Sequence, residues 1–219
     1  MRMAIRLKMR RASFCALLVC VFSLNVHGQD RLEHVTFDVG GAFSFPTGQL
    51  DNRVQTGFGI VASGGPRFNP SFSVGLDFAI NYFNLKNFVG SPVNQVNSLG
   101  SMVRIWSLTI NPTYQFWREE KVSSYATGGY GIYNRDLQLP TPGGGVPVTA
   151  CDAFWNICAG GSQASAISGN LNTYKGGFNV GGGVNFGGRT KFFVEARYHH
   201  MFTTHSPTEL IPLTFGVRW

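Results

Sequence analysis

Helical periodicity is what this 219-residue sequence lacks most. After Gln29 no stretch of useful length repeats its apolar residues every three or four positions, so a helix-built core is not expected. Charge is also scarce. Charged residues make up 13% of the chain, which is low for a globule surrounded by water. No apolar run reaches the ~20 residues that a membrane-spanning helix needs; the best candidate runs only from Phe14 to Leu24. Acid is absent from the first 28 residues, where Arg2, Arg6, Lys8, Arg10 and Arg11 all lie. Residues 29–219 then hold 13 basic and 11 acidic side chains, a balance of only +2 out of the formal +7. The excess positive charge belongs mostly to the leader, and no electrostatic footprint for nucleic acid remains.

That leader has the three-part layout of a secretory signal peptide over 1–28: a basic start, an apolar run, and small residues near Val26-His27-Gly28. Cleavage is expected before Gln29. Leu17-Leu18-Val19-Cys20 resembles a lipoprotein box, but Val19 is too bulky before the cysteine. Arg10-Arg11 lacks the rest of a twin-arginine pattern. Cys15 and Cys20 would leave with the leader, so an exported chain keeps Cys151 and Cys158. Six residues apart in an oxidising compartment, they favour a local disulfide over free thiols or a metal site, for which only Asp152 is near.

What the sequence has in abundance is alternation, the mark of strands. Phe72, Val74, Leu76, Phe78, Ile80 and Tyr82 interleave with Ser73, Gly75, Asp77, Ala79 and Asn81. Val35, Phe37, Val39, Phe43 and Phe45 stand against Thr36, Asp38, Gly40, Ala42 and Ser44. The same rhythm runs through Phe178–Phe186, through Phe192–Phe202 and through Ile211–Trp219. Noisier stretches at 55–64, 102–116 and 122–133 bring the total to eight strands, each of about ten residues, enough to cross a bilayer when tilted. The glycine-rich 122–133 segment has no clear outward face. Connections alternate in length. Longer loops are expected at 46–54, 85–101, 134–173 and 203–208, and tight turns at 65–71, 117–121 and 187–190. This pattern predicts an all-β, eight-stranded antiparallel up-and-down transmembrane barrel over 29–219, with 134–173 as a long extracellular loop.

The two faces decide between lipid and water. One face is large and apolar. The other is small or polar and carries Asp38, Asp77, Glu195, Arg197 and Arg218. Those charges are too few to coat a soluble exterior but suit a narrow polar lumen. In lipid, a closed barrel satisfies every backbone N–H and C=O without leaving an edge. Tyr82, Trp106, Tyr114, Trp117 and Trp219 fall near strand ends, where amphipathic rings favour the bilayer interface. The lumen charges could line an ion pathway or supply catalytic carboxylates. The plainer reading is a hydrogen-bonded plug, because eight strands leave an interior just wide enough for side chains.

The leader, the Gly-rich alternating strands, the segment Ala196-Arg197-Tyr198-His199-His200 and the ending Phe215-Gly216-Val217-Arg218-Trp219 resemble the small outer-membrane β-barrel proteins over roughly 33–219. That family includes the OmpA transmembrane domain and OmpX. The resemblance implies a cell outer-membrane location, contact with outer-membrane lipid and lipopolysaccharide, and no cofactor. It also implies that Phe215, Val217 and Trp219 form the C-terminal signal read by the outer-membrane assembly machinery. The glycine often found five positions before the end is Thr214 here. The peptidoglycan-binding domain of full-length OmpA relatives is not expected.

Three further features carry alternatives. Small barrels that deacylate outer-membrane lipid place a His-x-Ser-Asn arrangement near the outer end of a strand. Here the chain reads His199-His200-Met201-Phe202, with His205-Ser206 and Glu209 following. A lipid A-modifying hydrolase and a narrow channel are therefore the alternatives to a non-catalytic structural or surface-interaction role. Gly128-Gly129 and Gly181-Gly182-Gly183 match no nucleotide fingerprint and suit close packing in a tight barrel. Phe154 and Trp155, inside the Cys151–Cys158 interval, could anchor a surface partner or fold down over the barrel mouth.

Overall fold

A computed structural model of the chain describes residues 35–86, 102–138, 151–152, 154–155, 157–158, 170–188, 190–204 and 206–219. The leader 1–28, His205 and most of the two longest connections lie outside the described residues. Strands run over Val35–Thr47 (β1), Gly57–Asn69 (β2), Phe72–Asn84 (β3), Met102–Arg118 (β4) and Val122–Gln138 (β5). They continue with Cys151–Asp152 (β6), Ile157–Cys158 (β7), Asn170–Gly187 (β8), Lys191–Met201 (β9) and Thr208–Arg218 (β10). One helical turn, α1, covers Gly48–Asp51. Eight of the strands close into a barrel in the order β1-β10-β9-β8-β5-β4-β3-β2, with antiparallel pairing between neighbours. The two-residue strands β6 and β7 form a separate hairpin, in which Cys151 faces Cys158 across the register.

The strands overrun the expected bounds. β4 and β5 have 17 residues and β8 has 18, so the connection expected at 134–173 shrinks to 139–169. The cause lies on the outer face beyond the apolar band. Arg104 bonds Asp136 across β4–β5 at 2.8 Å, and Asn134 donates to Asn172 across β5–β8. Polar pairs of this kind continue a ladder after the greasy alternation has ended, so hydrophobic periodicity alone stops too early. At the other end, the turn expected at 65–71 reduces to Pro70 and Ser71, because β2 continues through a register shift between Arg67 and Asn69. A second shift between Gln115 and Trp117 lets β4 reach Arg118. Each of these bulges breaks the two-residue rhythm without ending the strand.

Inward glycines make room for large inward side chains. A Cβ on Gly183 would meet the Tyr125 hydroxyl at 2.6 Å, and one on Gly216 would meet the Phe193 ring at 2.5 Å. One on Gly177 would press on the Tyr133 ring at 2.8 Å. Gly177, Gly183 and Gly216 are therefore packing devices, with each ring lying over a neighbouring strand that offers no side chain.

Candidate functional site

The barrel's interior is a stack of polar layers. Nearest the short turns, Arg218 grips Asp38 with Nε and Nη2 at 2.7 and 2.8 Å, and its Nη1 donates to Asn185 Oδ1 at 2.9 Å. The same guanidinium lies 4.6 Å from the centre of the Tyr125 ring and 5.2 Å from that of Phe193. One layer on, Arg197 bridges two carboxylates, Asp77 and Glu195, each at 2.6 Å. The Tyr125 hydroxyl donates to Glu195 at 3.0 Å, and Ser63 donates to Asp77. Tyr125 thus ties the two layers together, ring to one arginine and hydroxyl to the other's partner. All five charged residues expected in the lumen meet in this network. Beyond it, Tyr133 bonds His199 Nδ1 at 3.0 Å, and Ser44 donates to Asn81 at 2.5 Å. Two cavities of about 20 Å³ each, on either side of the Arg197 layer, have room for little more than a water apiece.

Toward the long loops the interior changes character. Leu50, Val54, Phe83, Leu85, Val103, Ile105, Leu137 and Leu210 form a buried apolar cluster with Phe154 and Trp155. The inner face, expected to be mostly small or polar, is apolar at this cluster and also carries the large rings of Tyr125, Tyr133 and Phe193 below it. Phe154 and Trp155, weighed as surface anchors, are buried at 5% and 4% exposure, their rings packed edge to face at 4.9 Å. Arg53 and Arg135 each lie 4.4 Å from the Phe154 ring, and Arg135 donates to the Phe154 carbonyl at 2.6 Å and to Thr208 Oγ1 at 2.8 Å. Phe154 and Trp155 therefore cap the mouth from within.

Outside, the pattern is reversed. Phe43, Ile60, Leu76, Ile110, Val180 and Phe215 are 45–60% exposed. In water such a continuous belt would forfeit the main driving force of folding; in hydrocarbon it costs nothing. Aromatic pairs sit near its margins: Phe37 with Trp219, Phe58 with Tyr82, and Trp106 with Tyr174.

No family model matches the chain, and no curated protein does. Among solved structures, Neisserial surface protein A superposes with a TM-score of 0.56 at 14% identity, over 84% of this chain and 95% of the other. The fold is that of a small outer-membrane β-barrel. The Yersinia pestis attachment invasion locus protein (17% identity, 85% and 98% covered) and the N-terminal barrel of Pseudomonas aeruginosa OprF (10%, 85% and 98%) superpose less tightly, at 0.45 and 0.44.

Within this outer-membrane barrel fold the histidines separate. His199 faces the lumen and His200 the outer surface, as neighbours on a strand must. On that surface His200 Nδ1 lies 3.1 Å from Glu209 Oε1, which also accepts from Tyr198 Oη at 2.7 Å, while Phe178 stacks on the imidazole at 5.1 Å. Among the described residues, the one hydroxyl bonded to His200 is that of Tyr198, and Phe202 stands where the deacylase arrangement has serine. Trp219, Val217 and Phe215 share the outer face, and Trp219 exchanges backbone hydrogen bonds with Phe37 at 2.9 and 3.0 Å. Sequence reading left Tyr125 and Tyr133 unplaced because Gly128, Gly129 and Gly131 hide which side of β5 faces in, and it missed Arg135 because it ended the strand at 133. The shared parity of Ser123, Tyr125, Thr127, Tyr133 and Arg135 was the usable signal.

Proposed function

We propose that this chain is a resident, non-catalytic outer-membrane protein with a structural or surface-interaction role. In this reading it is exported through a cleaved leader at 1–28, lodged in outer-membrane lipid with lipopolysaccharide around it, and inserted by assembly machinery that reads Phe215, Val217 and Trp219. The observation that carries the reading is the joint one of an apolar exterior and a lumen whose central charges are paired and whose outer mouth is capped by side chains. A filled bore argues for a scaffold that displays its long-loop end rather than for a conduit. The backbone register that sets Cys151 opposite Cys158 supports a disulfide holding the capping turn in shape. The surface offered to a partner would then be the rest of the 139–169 connection, with Phe154 and Trp155 acting as its root.

The test is cell fractionation joined to conductance. The processed chain should partition with outer-membrane fragments and migrate differently on a gel before and after heating. Reconstituted in a planar bilayer it should be silent. A soluble periplasmic protein, or steady unitary currents, would remove the reading. One observation favours a second reading, a lipid-modifying hydrolase: the His200–Glu209 pair faces lipid, where ionisable groups are costly and tend to be functional. Lipid A that is identical in cells carrying wild type and His200→Ala would dismiss it.

A further inference from the structure

Four cations gather at the short-turn end of the barrel. Arg67 near the end of β2, Arg118 at the end of β4 and Lys191 at the start of β9 join Arg218 at the end of β10. Lys191 is the register partner of Arg218, which is in turn the partner of Asp38. These cations act on one another: Arg118 and Arg218 bear on Arg67, and Arg67, Arg118 and Arg218 bear on Lys191. Among the described residues, Asp38 stands against the four, and both of its oxygens are already taken by Arg218. Asp77, which lines the same cavity, is committed to Arg197 and Ser63. Glu119 and Glu120 lie in the exposed turn after Arg118.

Arg67 is the telling residue. It lines the cavity of about 20 Å³ beside Thr36, Ser73 and Thr113, and its Nε is buried without a hydrogen-bond partner among the described residues. A buried donor left unmatched next to like charges is destabilising unless something external matches it. An oxyanion presents only acceptors and is well suited to guanidinium and ammonium donors. We infer that the short-turn mouth of the lumen binds a phosphate-class oxyanion, seated between Arg67 and Lys191 with Arg118 at the rim. The cavity is too small for a whole phosphate, so the ion sits at its open side with one oxygen directed toward Arg67 Nε. The ligand is either free phosphate or the headgroup phosphate of an anionic lipid in the adjoining leaflet. Only the lipid source rests on the membrane reading above.

The experiment titrates inorganic phosphate into the folded barrel in zwitterionic detergent, followed by amide chemical shifts, with the heat-dependent gel shift confirming folding in every sample. Saturable shifts confined to the ends of β2, β4, β9 and β10 are expected. Arg67→Met and Lys191→Met should each weaken binding by about tenfold, the effect of losing one charge-assisted hydrogen bond. Arg104→Met, at the opposite end, should leave it unchanged. If Arg67→Met does not fold, Lys191→Met and Arg118→Met carry the comparison. Repeating the titration in nanodiscs separates the sources. Loss of phosphate binding in phosphatidylglycerol but not phosphatidylcholine discs identifies the lipid headgroup, and equal binding in both identifies the free ion. A folded barrel that shows no saturable shifts, or shifts indifferent to both Arg67→Met and Lys191→Met, overturns the inference while leaving the barrel reading intact.

Discussion

Replacing Arg197 with methionine would remove the one cation that Asp77 and Glu195 share. Its side chain is 10% exposed, and those of the two carboxylates are 7% and 6% exposed. With Arg197 gone, two acids face each other in a bore that water barely enters, and breaking a buried pair in this way costs about 3–5 kcal/mol. Asp77→Asn does something different. It leaves Arg197 and Glu195 as a balanced pair and forfeits mainly a charge-assisted hydrogen bond, about 1.5–3 kcal/mol. The gap between the variants is about 2 kcal/mol, or roughly thirtyfold in the folding equilibrium. Neutralising the whole group as Arg197→Met with Asp77→Asn and Glu195→Gln should recover much of the single-variant loss, because no uncompensated charge remains. Asp51→Asn serves as a control, since its pair with Lys86 is 56% and 39% exposed and contributes about 0–1 kcal/mol. Equilibrium urea unfolding in phospholipid vesicles, read from the folded gel band, measures all four. An Arg197→Met barrel as stable as Asp77→Asn would refute the shared-cation account.

Other outcomes follow from the same geometry. Leu76→Arg, at a side chain 52% exposed in the middle of β3, should cost about 2–4 kcal/mol in vesicles; a change within about 0.5 kcal/mol, the usual effect on a watery surface, would mean that lipid does not touch it. Trp155→Ala should loosen the mouth and not the barrel, seen as faster hydrogen exchange at Leu50, Val54 and Phe83 with the middle of β9 unchanged. If Cys151 and Cys158 are bridged, the folded protein should lack maleimide-reactive thiols until reduced, and Cys158→Ser should expose one. The closed loop of about eight residues would contribute about 2.5 kcal/mol to holding the hairpin.

Much of the barrel was legible because alternation reports directly on a two-faced sheet. Val35 to Phe45, Phe72 to Tyr82 and Ile211 to Trp219 each displayed one greasy and one polar face, and the structure keeps those faces. The polar five were found together because charge on the minor face of a lipid-bound strand has nowhere to go but inward. Legibility failed where the solvent changed. Beyond the apolar band, Arg104 pairs with Asp136 and Asn134 with Asn172 on the outer side of the strands while Leu137 and Ile105 turn in, so the meaning of greasy and polar inverts within one strand. It failed again in β5, where glycines erase parity. At Phe154 and Trp155 the sequence offered both a surface anchor and a cap folded over the mouth, and the burial that decides for the cap depends on Arg53 and Arg135 from distant parts of the chain.

The grip of Arg218 on Asp38 joins positions 180 apart in the chain, whereas Ser63 and Asp77 meet across a separation of 14. Bringing the more distant pair together costs about 2 kcal/mol more in chain entropy. The seam between β1 and β10 is thus the last junction the polypeptide can afford to zip, and its clasp lies on the inside, out of reach of lipid. Until that clasp shuts, both edge strands lie bare to the bilayer, with unmatched N–H and C=O groups that hydrocarbon cannot satisfy. Insertion and closure are accordingly coupled events in this molecule: a half-zipped cylinder has no comfortable place to wait.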